Sequence, residues 1–224
     1  MKPILIQKRA LCGNPDDYFA KTWSEYKKGF SKKCEGWLGL DKLHNLTKEN
    51  NYVLKISFTV YHPEKDFKEK DYEVFYNTFR VGSEKDNYRL EIGGYDKKWS
   101  TASNRFAPKL NDIGFQSLEF ITWDTDSGAL ENSCKQKSGN TLFLSEYAGG
   151  GGWWVDVDIK SDCDYSNLNG LNLGYHHDAL DKDKLDIRRM RWGYVEEGYL
   201  VNSSKMELFP KGKIFRTCKI RLKL

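Results

Sequence analysis

Asp124 and Asp126, in the run Asp124-Thr125-Asp126-Ser127-Gly128, place two carboxylates on alternate residues. Calcium takes six to eight oxygens from carboxylates, backbone carbonyls and water, and an acidic loop of this kind could supply some of them. The same run also reads as a solvated acidic loop. Five cysteines, Cys12, Cys34, Cys134, Cys163 and Cys218, contain no Cys-x-x-Cys pair, which argues against zinc-ribbon and thioredoxin-like chemistry. The odd number leaves at least one thiol unpaired within the chain. His176-His177-Asp178 is a poor metal site, because adjacent side chains on an extended segment point to opposite faces. Asn45-Leu46-Thr47 and Asn202-Ser203-Ser204 are sequons, and they become glycosylation sites only in a secreted chain. No Gly-x-Ser-x-Gly elbow, phosphate loop or His-Glu-x-x-His helix accompanies these groups, so the expected activity is binding and not turnover.

The elements that must position these residues are legible in part. The chain has 224 residues, 39% hydrophobic, 30% charged and 14% aromatic, which suits one folded domain and excludes a mainly disordered state. No run of about 18 apolar residues exists, so no transmembrane helix and no membrane insertion are expected. The start, Met-Lys-Pro-Ile-Leu-Ile-Gln-Lys-Arg, is too short in apolar residues for a signal peptide. Residues 211–224 hold six basic residues and no acid; without those six the 36 basic residues become 30 against 32 acidic ones. The positive balance thus belongs to a basic C-terminal tail, and a nucleic-acid partner is not expected.

Residues 3–8 read as a strand. Asn14 as N-cap, Pro15, and the stripe Phe19, Trp23, Tyr26 and Phe30 predict a helix ended by Gly29. A second helix is expected over 40–46. Strands are expected over 52–60, 72–81 and 88–92, the last two joined as a hairpin through Gly82-Ser83-Glu84-Lys85-Asp86-Asn87. The fold class is α+β: a central antiparallel sheet with flanking short helices and a long, irregular, loop-rich C-terminal half. Residues 93–174 are dense in Gly, Asp, Asn and Ser with short hydrophobic periods. Such a region needs something besides regular ladders to hold it, for instance a disulfide or a metal ion.

Several longer motifs, in order, resemble the fibrinogen C-terminal-like family. They are Trp23-Ser24-Glu25-Tyr26-Lys27-Lys28-Gly29-Phe30, Trp37-Leu38-Gly39-Leu40, Tyr76-Asn77-Thr78-Phe79-Arg80-Val81-Gly82, Phe120-Ile121-Thr122-Trp123-Asp124, Gly151-Gly152-Trp153-Trp154 and Cys163-Asp164-Tyr165-Ser166-Asn167-Leu168-Asn169-Gly170. The resemblance covers most of 3–210 and sets the domain at 1–210, with 211–224 as the tail. In the family a further subdomain with its own disulfide precedes the Ile4-Leu5-Ile6-Gln7 strand, so the chain is expected to be truncated at its N-terminus.

The resemblance implies a Cys134–Cys163 disulfide closing the ligand loop, with calcium held at Asp126 and Asp124 as a substitute donor; the third acid of the family run is Gly128 here. In the ficolin and tachylectin type of lectin, an acetyl group sits in an aromatic funnel beside a Cys-His pair. The matching positions here are Tyr147, Trp153, Cys163, Asp164 and Tyr165, with Asp164 where those lectins have His. An ionised carboxylate accepts hydrogen bonds from hydroxyls or amines but donates none to an acetyl oxygen. Trp153 and Trp154 also read as core residues. The implied function is extracellular, lectin-like binding of glycans or acetylated surface groups in innate recognition, with self-association supplying avidity. The alternative is a module binding cell-surface or matrix proteins, of the angiopoietin or tenascin kind. Glycosylation at Asn45 and Asn202 would follow from secretion.

Overall fold

The computed structural model describes residues 2–10, 18–49, 52–62, 68–106, 115–122, 124, 151–155, 166–170, 190–192 and 199–211. The first strand, β1 (Ile4–Arg9), lies between β3 (Glu35–Trp37) and the last strand, β11 (Leu200–Pro210). The first and last described strands thus pair within one sheet. Beyond β11 follow β4 (Tyr52–Tyr61), β5 (Glu69–Val81), β6 (Leu90–Tyr95), β7 (Phe115–Ile121) and β8 (Trp153–Val155), while β2 (Phe30–Lys32) closes the other side next to β3. Each pairing is antiparallel. Two short strands, β9 (Ser166–Asn167) and β10 (Arg191–Trp192), pair separately.

Period-two alternation builds the centre of the sheet. Leu54, Ile56, Phe58 and Val60 of β4 are buried, with the partly exposed Lys55, Ser57 and Thr59 between them. Helices α1 (Trp23–Lys28) and α2 (Leu40–Thr47) add the α component, α2 lying against β5, where the Val81 N–H donates to Thr47 Oγ1 at 2.9 Å. Aromatic residues fill the space between layers. Tyr26 and Trp37 are 5.5 Å apart, and Trp154 is 5.6 Å from Trp37 and 5.1 Å from Phe120.

Two expectations change. The first helix begins at Thr22 and not at Asn14: Thr22 and Glu25 form a reciprocal capping box, and residues 18 and 19 sit in a turn. Asn14 and Pro15 lie outside the described residues. Phe19 and Phe30 still meet, 5.0 Å apart, so the stripe forms a cluster contributed by a turn, a short helix and a strand. Gly29 caps α1 as expected. The strand expected at Tyr88 starts at Leu90, because Asn87 and Tyr88 both take positive φ, 50° and 45°. Burial of the Tyr88 ring beside Trp23, its hydroxyl donating to Asp41, and the Trp154 Nε1 bond to its carbonyl at 3.0 Å offset that backbone strain. Among the described residues of the second half, β7 and β8 extend the main sheet, within the expected α+β class.

Candidate functional site

The candidate recognition end is built where β8 and residues 166–170 approach β1. Gly151 and Gly152 make that approach feasible. A Cβ on Gly151 would fall 1.9 Å from the Asn169 carbonyl oxygen, and one on Gly152 would fall 2.8 Å from Thr122 and 2.9 Å from Phe120 and Tyr26. Only glycine fits at both places. Next along the chain, Trp153 stacks on Phe106 at 5.0 Å, and Trp154 meets Phe79 edge-on at 5.9 Å.

Buried polar groups then tie residues 166–170 to the sheet. Gln7 Nε2, with two hydrogens to donate, lies 2.9 Å from the Leu168 carbonyl, 3.2 Å from Asn169 Oδ1 and 2.9 Å from Ser204 Oγ. Asn169 Nδ2 donates to the Gly152 carbonyl at 2.8 Å, and its backbone N–H donates to Asn167 Oδ1 at 2.9 Å. Arg9 Nη1 reaches the Asn169 carbonyl at 3.4 Å; the same guanidinium lies 3.1 Å from Glu35 and 4.2 Å from the centre of the Phe19 ring. Gln7, Arg9 and Asn169 are almost wholly buried. In such surroundings a half-satisfied network would be costly, so these partners fix one arrangement of the segment that follows Cys163-Asp164-Tyr165. Burial also pushes the Tyr26 phenol far above its ordinary value, the nearby Arg9 charge offsetting only part of the rise.

The acidic loop joins this end through Asp124. Its Oδ1 accepts from the Trp23 backbone N–H at 2.9 Å and from the Thr122 hydroxyl at 2.7 Å. Asp124 therefore satisfies an orphan donor in the first turn of α1. That oxygen fits a cap better than a calcium ligand. Among the described residues no group of three or more His, Cys, Asp or Glu side chains could hold a metal ion. Asp126 lies outside the described residues.

Of the residues implied for the aromatic funnel, Trp153 is described, and it is 1% exposed. It is packed into the core with no open ring face. Tyr147, Cys163, Asp164 and Tyr165 lie outside the described residues, as does Cys134. The structure therefore brings no funnel together among the described residues. Asn45 is exposed on α2, whereas Asn202 is buried on β11 with its Nδ2 donating to Glu69 at 2.8 Å. A glycan on that nitrogen would break this bond and the strand packing, so Asn202 does not fit a glycosylation site in this fold. Cys34 is disulfide-bonded. Sequence reasoning missed Gln7, Arg9, Glu35 and Ser204. The signal present was a Gln and an Arg on alternate residues of the first strand, following the apolar Ile4-Leu5-Ile6.

Among the described residues, no helix is long and apolar enough to cross a membrane. The family described as fibrinogen beta and gamma chains, C-terminal globular domain, matches residues 3–211. Mouse angiopoietin-4 is 31% identical over 196 residues, 87% of this chain and 32% of that protein. Techylectin-5A of Tachypleus tridentatus is 33% identical over 179 residues, covering 78% of this chain and 50% of that one. The chain thus spans about a third of the length of angiopoietin-4. The fibrinogen-like globe domain of human ANGPTL2 superposes with a TM-score of 0.63 and 25% identity, over 92% of this chain and 79% of that domain. With the family model matching nearly the whole chain, from residue 3 to 211, this chain belongs to the fibrinogen C-terminal globular domain family.

Proposed function

We propose that the chain is an extracellular recognition domain that binds a partner protein reversibly and catalyses no reaction. The observation that carries the choice of protein over glycan is the burial of Trp153 and Trp154, at 1% and 2% exposure. Sugar recognition by stacking needs an open aromatic face, and these two rings are committed to the core. The likeness to angiopoietin-4 supports this branch, and the Cys34 disulfide supports an oxidising compartment. The test is binding of the full chain to an array of receptor ectodomains beside a glycan array. Saturable ectodomain binding that free sugars do not displace is expected. Glycan binding that the free sugar competes away would overturn the reading.

Glycan binding is the second reading, favoured by the likeness to Techylectin-5A. It makes its own demand on Asp164. Asp164→His would remove a negative charge and add a donor, raising affinity for acetylated sugars several-fold with a pH dependence near about 6.5. No change in acetylated-sugar binding would remove the acetyl pocket from consideration.

A further inference from the structure

A second surface lies along the β1–β3 side of the sheet and shares the buried Glu35 with the network around Arg9. A concave region of about 640 Å³ opens beside β1, β2 and β3, and all of β2 lines it. Its lining includes Leu5, Lys8, Phe30, Lys32, Lys33 and Lys42. Lys8 alternates with Gln7 and Arg9 along β1, so it stands on the sheet face opposite the Asn169 network. Leu5, at 44%, is the exposed large hydrophobic residue of the described chain. The carboxylate of the described lining is Glu35, which is buried and 3.1 Å from Arg9, with Lys32 at 3.8 Å. Lys33 and Lys42 are exposed, so the region presents ammonium groups around an apolar floor.

We infer that this basic concavity is a docking surface for an extended acidic peptide segment of a partner protein. Three features select that occupant. Lysines at the rim favour carboxylates and repel basic chains. Exposed Leu5 gives an apolar patch that an apolar side chain would cover, which a purely anionic polysaccharide would leave in water. β2 ends the sheet, so one side of its backbone faces away from any described strand, and an extended segment could lie along it. The Cys34 disulfide in the β2–β3 turn limits motion of the rim. This surface does not depend on the choice between protein and glycan at the recognition end.

The test uses the full chain and a fluorescein-labelled hexapeptide alternating glutamate with leucine, read by fluorescence anisotropy. A lysine-leucine hexapeptide and a heparin fragment serve as comparison probes. The acidic peptide should bind, high salt should weaken it, and Lys33→Glu with Lys42→Glu should weaken it about tenfold. Leu5→Ser should weaken it independently of salt. Both changes fall on exposed side chains, and unchanged melting temperatures will show that the variants fold. Equal binding of acidic and basic peptides would overturn the proposal. So would insensitivity to the charge reversals, or heparin binding without peptide binding. Concentration-dependent self-association that the same reversals abolish would assign the surface to a second copy of the chain and equally overturn it.

Discussion

Strands β4 to β6 and the segments 151–154 and 166–170 both contribute to the core, yet different forces hold them. In the first region, continuous antiparallel ladders and alternating apolar side chains do the work, with Leu54, Ile56, Val74 and Ile92 all at 0% exposure. In the second, ladders are two or three residues long, and individual side-chain hydrogen bonds from Gln7, Arg9 and Asn169 take over. The first region tolerates imprecision, because hydrophobic burial is non-directional. The second requires each partner to be present, because an unpaired buried polar group costs more than a made bond contributes.

The largest expected effect separates core from pocket. Trp153→Ala should cost about 3–5 kcal/mol, since it empties a buried ring site stacked on Phe106. Urea midpoints measure it; a loss well under 1 kcal/mol would return Trp153 to a ligand-facing role. Next comes Asn169→Ala, which leaves Gln7 and the Gly152 carbonyl short of partners and should cost about 2–3 kcal/mol. A smaller cost than that of Thr59→Ala, on a partly exposed strand position, would contradict the directional account of this region.

Calcium should matter less. With Asp124 Oδ1 committed to Trp23 and Thr122, and Gly128 at the third acid position, a calcium contribution must come from Asp126 and neighbouring carbonyls. Millimolar calcium should then stabilise the chain by no more than about 1 kcal/mol. A large calorimetric heat and a sharp rise in melting temperature would contradict this. The smallest effect is a pH dependence at Glu84. The Lys27 hydrogen bond, followed by that from Trp23 Nε1, lowers its carboxyl below the ordinary 4.5. Its contribution is therefore present above pH 4.5 and fades as pH falls through the lower folded value. The carboxylate is largely exposed, so the slope should be slight, and Glu84→Gln should flatten it.

These differences also explain what could be read from the sequence. The β4 strand and the second helix followed from periodicity, and Gly29 marked the end of the first helix. Asn14-Pro15-Asp16-Asp17 suggested a start for that helix, but the Thr22–Glu25 capping box and the Asp124 bond to Trp23 set it later. A local signal lost there to a tertiary one. The pairing within the polar network could not be read for the same reason: Gln7 and Asn169 are 162 residues apart, and polar residues on the first strand do not say what they meet. The glycines of the Gly151-Gly152 pair were visible as a motif, while their purpose, a close approach to Asn169, needed the fold.

The most direct test of this division is hydrogen exchange on the wild-type chain and Asn169→Ala. If directional bonds hold the second region, protection should fall over 151–155 and 166–170 and stay at wild-type levels over 52–61 and 74–81, because local openings follow local contacts. Uniform loss across both regions, or unchanged protection in 166–170, would contradict the account.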